Sequence, residues 1–162
     1  MARTLILRSL TAAPRTRAQL AELLASRGIP EGVADELLDR FTELNLIDDG
    51  EYARMWARSR YQVKNASRRA IREELRRKGV ADDLIESALE QTIDDEAEYA
   101  AAVRVAERKV RSTAGLDPQV AERRVMAALL RRGYSGSVSA RAMREALQAS
   151  TSTDHSATKY AT

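Results

Sequence analysis

The feature that most constrains this fold is an apolar pattern that occurs three times and ends each time in a basic residue followed by glycine. The glycines are Gly28, Gly79 and Gly133. The apolar residues eight and four positions before each glycine are Leu20 and Leu24, Ile71 and Leu75, and Val125 and Leu129. A spacing of four predicts an α-helix with one buried face, and glycine allows the left-handed conformation that closes a helix. The sequence therefore predicts a helical repeat.

Helical spacing continues outside these segments, and no stretch alternates with period two for long enough to form a strand. We predict an all-α fold of tandem three-helix repeats forming an elongated, curved body. The predicted helices are 2–12, 17–27, 31–44, 49–62, 68–78, 82–91, 95–112, 118–132 and 138–148. The predicted units are a first repeat with the N-terminal helix (1–62), a second (63–113) and a third (114–148). Residues 149–162 include seven Ser or Thr in fourteen, which predicts a disordered tail.

Polar residues mark where several helices begin. The hydroxyls of Thr16 and Ser67 precede amphipathic runs and can cap free helix amides. The pairs Asp48-Asp49 and Asp94-Asp95 also stand just before helices. Paired carboxylates could serve catalysis or hold a divalent ion, but adjacent residues in a turn seldom converge on one substrate atom. We expect capping at both positions.

The chain offers little for catalysis. It has no Cys and a single histidine, His155, which lies in the predicted tail. A thiol nucleophile, a His-based triad and a Cys- or His-ligated metal site are therefore excluded. No glycine-rich nucleotide-binding loop is present. We expect no catalytic residue, no metal and no cofactor. No apolar run is long enough for a membrane span or a signal peptide, so we expect a cytoplasmic protein.

Charge is distributed in alternating blocks. Residues 31–51 hold eight acids and one base, residues 54–78 hold ten bases and two acids, and residues 82–98 hold eight acids and no base. Blocks of this size can steer an association, or they can neutralise one another across neighbouring helices.

Within the basic block, Arg68, Arg72 and Arg76 recur at intervals of four on one helix face. Acids four residues away serve other bases of this helix, which leaves these three without a partner at that spacing. We therefore predict that they bind an external anion, with a solvated helix face as the alternative. Arg54 and Arg58, also four apart, complete the predicted partner-binding set. If the face is only solvated, the next candidates are Arg54 and Arg58, or the third repeat at Arg123, Arg124, Arg131 and Arg132.

Trp56 lies on the same predicted helix as Arg54 and Arg58. A lone Trp on an apolar stripe is usually part of a core, which is what we expect here. The alternative is an exposed interface anchor.

The two first units resemble a known family. The first unit carries Arg17-Ala18-Gln19-Leu20, Arg27-Gly28-Ile29, Leu46-Ile47-Asp48-Asp49, Tyr52-Ala53 and Trp56. The second carries Ser67-Arg68-Arg69-Ala70-Ile71 and Glu74-Leu75-Arg76-Arg77-Lys78-Gly79-Val80. In this combination the sequence resembles the RecX family of recombination regulators over residues 4–148. One difference is Asn65-Ala66-Ser67, where the family often has a Gly-Pro turn.

The resemblance implies a non-enzymatic partner of the RecA recombinase. Family members bind in the groove of the RecA–DNA filament and limit its assembly, its ATPase and its strand exchange. The resemblance thus implies RecA as the partner, DNA directly or through the filament, no membrane, and a monomer. The alternative is a helical-repeat protein that binds DNA or RNA directly through its basic face.

Stacked repeats also predict a solution property. Small-angle scattering should give a radius of gyration above the about 15 Å expected for a compact domain of this length. A radius at that value would contradict the elongated body.

Overall fold

A computed structural model describes residues 1–158, with side chains as far as Ser152. Within those residues it contains nine α-helices and no strand. The helices are α1 (Ala2–Ala12), α2 (Arg17–Ser26), α3 (Glu31–Glu43), α4 (Asp49–Lys64), α5 (Arg68–Arg77), α6 (Asp82–Thr92), α7 (Asp95–Ser112), α8 (Pro118–Arg131) and α9 (Gly136–Thr158). The predicted all-α class is confirmed, and every predicted helix end lies within two residues except the C-terminal end of α9.

Helix α9 differs from the prediction because it continues to Thr158, whereas we expected disorder from residue 149 onward. Hydroxyls in this segment donate to carbonyls three or four residues earlier. Ser150 Oγ donates to Leu147 O at 2.8 Å, and Ser152 Oγ donates to Gln148 O at 3.0 Å. These bonds let a Ser/Thr-rich segment satisfy its side chains within a helix. The last four residues of the predicted tail, 159–162, lie outside the described residues.

The contacts divide the chain into two units. One contains Met1–Ser59 and Ile71–Thr92, and the other contains Arg60–Ala70 and the chain from Ile93 onward. In the first unit, Ile6, Leu20, Leu24 and Leu38 form part of one buried cluster. The cluster of the second unit joins α7, α8 and α9, and its residues are Ala101, Ala102, Val105, Ala106, Val125, Leu129, Tyr134, Ala142 and Ala146. The residues that defined the repeat are therefore core residues.

Two buried hydroxyls connect successive repeats. Thr16 Oγ1 accepts from Gln19 N at 3.1 Å, which caps α2, and donates to Lys78 O at 2.7 Å. In the same way Ser67 Oγ accepts from Ala70 N at 3.1 Å, at the start of α5, and donates to Arg132 O at 2.8 Å. Both residues are fully buried. Each hydroxyl thus satisfies the first turn of one helix and a free carbonyl at the end of another.

The glycine after each of those carbonyls is required for close approach. Gly79 and Gly133 have φ of +77° and +87°. A Cβ at Gly79 would lie 2.3 Å from Ala18 Cβ, and one at Gly133 would lie 2.6 Å from Ser67 Oγ. Gly28 has φ of +73°, but a Cβ there would meet nothing within 4 Å. Gly79 and Gly133 therefore leave room for the start of an earlier helix to pack against them, whereas Gly28 only closes its own helix.

Asn65 takes the place of a turn glycine after α4. Its φ is +47°, in the left-handed region that Asn enters more readily than most residues. Its side-chain Oδ1 accepts from Arg104 Nε at 2.8 Å, and its carbonyl accepts from the Tyr134 hydroxyl at 2.6 Å. Burial raises the pKa of the Tyr134 hydroxyl, so that group stays a neutral donor. Asn65-Ala66-Ser67 is thus held by the second unit's own core.

Gly79→Ala should destabilise the protein more than Gly28→Ala. Both changes place a Cβ on a left-handed residue, at about 1–2 kcal/mol. Only Gly79→Ala also forces a Cβ against Ala18, for which overpacking adds about 1–3 kcal/mol. Urea unfolding followed by circular dichroism measures both losses, and equal losses would contradict the close packing at Gly79.

Candidate partner-binding surface

Arg68 is paired within its own unit. Its backbone N donates to Glu98 Oε1 at 2.8 Å, and its Nε donates to Glu98 Oε2 at 2.9 Å. Its guanidinium also contacts the Asp95 carboxylate in the first turn of α7. These bonds hold the start of α5 against the start of α7, so Arg68 serves the packing of the second unit.

Arg72 and Arg76 are paired with the helix that follows them. Arg72 binds Glu86 with both ends of its guanidinium, at 2.5 Å from Nε and 2.9 Å from Nη2. Arg76 Nε donates to Asp82 Oδ1 at 2.8 Å, and its Nη1 donates to Glu73 at 3.1 Å. The prediction that these arginines lack a local partner is wrong. Glu86 and Asp82 lie on the neighbouring helix α6, which spacing along one helix cannot reveal, and Glu73 lies on α5 at a spacing of three rather than four.

Arg54 and Arg58 share one carboxylate on α4. Arg54 Nη2 lies 2.8 Å from Glu51 Oε2, whereas Arg58 Nη1 lies 4.0 Å from Glu51 Oε1. The Arg58 side chain is 55% exposed, compared with 28% for Arg54. An exposed pair at the limit of ion-pair distance contributes little stability. Arg58 therefore has the most exposed side chain of the five predicted residues.

Trp56 is half-buried and held by polar contacts as well as packing. Its Nε1 donates to Glu74 Oε2 at 2.8 Å, and its ring stacks on Tyr52 with centroids 6.1 Å apart. Lys78 Nζ lies 4.1 Å from the centre of the ring. Trp56 thus ties α4 to the end of α5, and it is half-buried where we expected a core residue.

A second set of cations lies between α7 and α8. Its members are Arg108, Lys109, Arg123, Arg124, Arg131 and Arg132. From the sequence we named four of them only as the next candidates, namely Arg123, Arg124, Arg131 and Arg132. Arg108 and Lys109 were missed. The signal was present, since residues 104–111 of α7 hold four bases against one acid, Glu107.

The aspartate pairs act mainly as caps. Asp48 Oδ1 accepts from Glu51 N at 2.8 Å, and Asp94 Oδ1 accepts from Ala97 N at 2.7 Å, as predicted. Asp49 instead accepts from Arg17 N at 2.8 Å, and burial raises the pKa of its carboxyl. Among the described residues, no group of three or more His, Cys, Asp or Glu could hold a metal ion. No described helix is long and apolar enough to cross a membrane.

Sequence comparison identifies the family. The chain is 45% identical over 147 residues to "Regulatory protein RecX" of Streptomyces coelicolor, covering 91% of this chain and 78% of that protein. The chain belongs to the RecX family. RecX of Thermobifida fusca is 41% identical over 148 residues, covering 91% of this chain and 80% of the relative. RecX of Mycobacterium marinum is 44% identical over 137 residues, covering 85% and 79%.

The family's three domains are all present in order. Models of the first, second and third three-helix domains of RecX match residues 2–41, 48–89 and 96–143. These ranges correspond to α1–α3, α4–α6 and α7–α9. The boundaries between these domains fall at other helices than the boundaries of our glycine-based units. The predicted unit boundaries at 62/63 and 113/114 stay a prediction. A periodic series of helices can be divided into units at either set of boundaries.

Solved structures of RecX share the fold. The crystal structure of RecX from Lactobacillus salivarius matches with a TM-score of 0.82 at 23% identity, covering 90% of this chain and 94% of that one. A second RecX crystal structure matches with a TM-score of 0.79 at 27% identity, covering 85% and 68%. The predicted repeat fold is therefore that of RecX.

The ion pairs of α5 and α6 predict an acid-dependent stability. The Arg72 hydrogen bond lowers the pKa of Glu86 from its ordinary value of 4.5. The unfolded chain therefore binds the proton more readily, so the pair stabilises the fold above that value and its contribution is lost as the pH falls. Glu86→Gln should flatten the decrease of the urea midpoint below about pH 4.5.

Glu90→Gln is the matched control, because Glu90 is exposed on the same helix and forms no described ion pair. In this variant the urea midpoint should decrease with falling pH as it does in the parent. The same decrease in all three proteins would contradict a stabilising Arg72–Glu86 pair.

Proposed function

We propose that this RecX-family chain binds RecA nucleoprotein filaments and inhibits RecA in recombination and DNA repair. Inhibition here means slower ATP hydrolysis, slower filament growth and less strand exchange. The proposal is carried by one observation, the presence of all three RecX domains along a chain that matches 78% of a protein named a regulatory protein. DNA enters the proposal as a component of the filament, and the chain acts as a monomer in the cytoplasm, where RecA works.

The proposed action is binding, without catalysis by the chain itself. The relatives are named regulatory proteins. The described carboxylate pairs are engaged as helix caps and ion pairs. A binding protein of this kind needs an accessible surface that complements its partner in charge.

Arg58 is the residue of the predicted set that best fits a partner contact. Arg68, Arg72 and Arg76 are engaged with carboxylates of α6 and α7, and removing them would weaken the fold. Arg58 lies on α4 with its side chain 55% exposed. Its removal therefore changes the surface and leaves the core packing unaltered.

The full chain should slow the DNA-dependent ATPase of RecA on single-stranded DNA and hydrolyse no ATP by itself. A coupled assay with increasing protein measures this, with the protein alone as the control for hydrolysis. An unchanged RecA rate at excess protein would contradict the proposed function. Hydrolysis by the chain alone would contradict its non-catalytic character.

Arg58→Gln tests the contact and Arg40→Gln is its matched control. Arg40 is 65% exposed and is also paired with a glutamate of its own helix. We expect Arg58→Gln to raise the concentration needed for half-inhibition several-fold at unchanged urea midpoint, with Arg40→Gln equal to the parent. Equal inhibition by both variants would remove Arg58 from the proposed surface.

A further inference from the structure

The surface between α7 and α8 differs in its ionic contacts from Arg68, Arg72 and Arg76, the ion-paired arginines of α5. Two open depressions of about 530 and 410 Å³ lie there and share Lys109 and Arg131 in their walls. We call them together the α7–α8 groove. The cations that line it are Arg108, Lys109, Arg123, Arg124, Arg131 and Arg132.

These cations are left uncompensated. In the described part of the chain, Arg132 is the only one of the six whose side chain forms a hydrogen bond or an ion pair. Its Nη1 donates to the backbone carbonyl of Lys64 at 2.8 Å. No described carboxylate lines either depression. Arg68, Arg72 and Arg76 of α5 show the opposite arrangement, with a carboxylate within 3 Å of each guanidinium. A concave surface of one sign concentrates anions.

The remaining lining favours a nucleic-acid backbone over a protein surface. Its apolar residues are small, namely Val105, Val120, Ala127 and Ala128. Among the lining side chains there is no Trp, Tyr or Phe, the residues that usually anchor a protein partner. There is also no aromatic ring on which a base could stack. What the groove offers is a series of guanidinium and ammonium donors, which suits phosphate.

The spacing of the donors fits a strand. Arg124 and Arg131 are seven residues apart on α8 and line the same depression. At 1.5 Å per residue they are separated by about 10 Å along the helix axis. That distance is the rise of about three nucleotides at 3.4 Å each. Lys109 and Arg108 face them from α7.

We infer that the α7–α8 groove binds the phosphodiester backbone of single-stranded DNA, without reading its sequence. This is a direct activity of the third domain, separate from the action on RecA. Binding is driven by contacts to several phosphates and is therefore strongly salt-dependent.

The test uses the full chain and a fluorescein-labelled oligothymidine. Its variant carries Arg123→Gln, Arg124→Gln and Arg131→Gln. The control carries Arg3→Gln, Arg8→Gln and Arg27→Gln, which removes the same charge from exposed arginines that have no described partner. Circular dichroism establishes that each is folded. Fluorescence anisotropy over a range of salt concentrations gives the affinity and its salt dependence.

The groove variant should bind the oligonucleotide roughly 10–100-fold more weakly at low salt. Its salt slope should fall by about 2, since each single-strand phosphate contact contributes about 0.7. The control should keep the slope of the parent. Arg124→Gln alone should give roughly a third of the change in slope, which keeps the test informative if the triple variant is unstable.

Three results would overturn the inference. One is an absence of oligonucleotide binding by the parent, and another is equal weakening in the groove variant and the control. The third is normal oligonucleotide binding by a groove variant that no longer slows RecA, which would assign the groove to an acidic protein surface. If the parent binds the oligonucleotide through the groove but leaves RecA unaffected, the groove stands and the proposed regulation of RecA fails.

Discussion

The structure depends on a hydroxyl that forms two hydrogen bonds at once. Thr16 and Ser67 each cap a helix and donate to a carbonyl that closes another helix more than sixty residues later. Helix ends leave amides and carbonyls unsatisfied, and burying them without a partner costs free energy. Here one buried hydroxyl satisfies a group of each kind, so two helix ends can meet without water. The glycine after the carbonyl is required because the approaching helix leaves no room for a Cβ.

The same arrangement explains why the repeats are similar but not identical. Gly28 closes its helix with no neighbour within 4 Å, whereas Gly79 and Gly133 each receive the start of an earlier helix. Arg17 and Arg68, the residues after the two hydroxyls, also act alike, since each backbone N donates to a carboxylate at 2.8 Å. The repeats therefore share polar contacts as well as apolar positions.

Charge in this chain has two separate uses. Arg68, Arg72 and Arg76 of α5 face acids of α6 and α7, so this part of the central basic block is neutralised inside the fold. The cations of α7 and α8 line depressions to which no described carboxylate contributes. The ion-paired arginines of α5 stabilise the fold, whereas we infer that the cations of α7 and α8 bind an external anion. The cations of α7 and α8 belong to the third RecX domain.

The sequence by itself determined the helices, the repeat and the family. Apolar residues eight and four before a glycine, capped at the other end by Thr16 or Ser67, are local signals, and local signals decide where helices begin and end. The caps at Asp48 and Asp94 followed for the same reason. Tertiary structure alone decided which cations are available. Arg72 and Glu86 are fourteen residues apart and meet only because α5 packs on α6. Arg124, in contrast, lines a depression to which no described carboxylate contributes. Ion pairing depends on distances in space, and a spacing rule within one helix cannot supply the carboxylates of its neighbours.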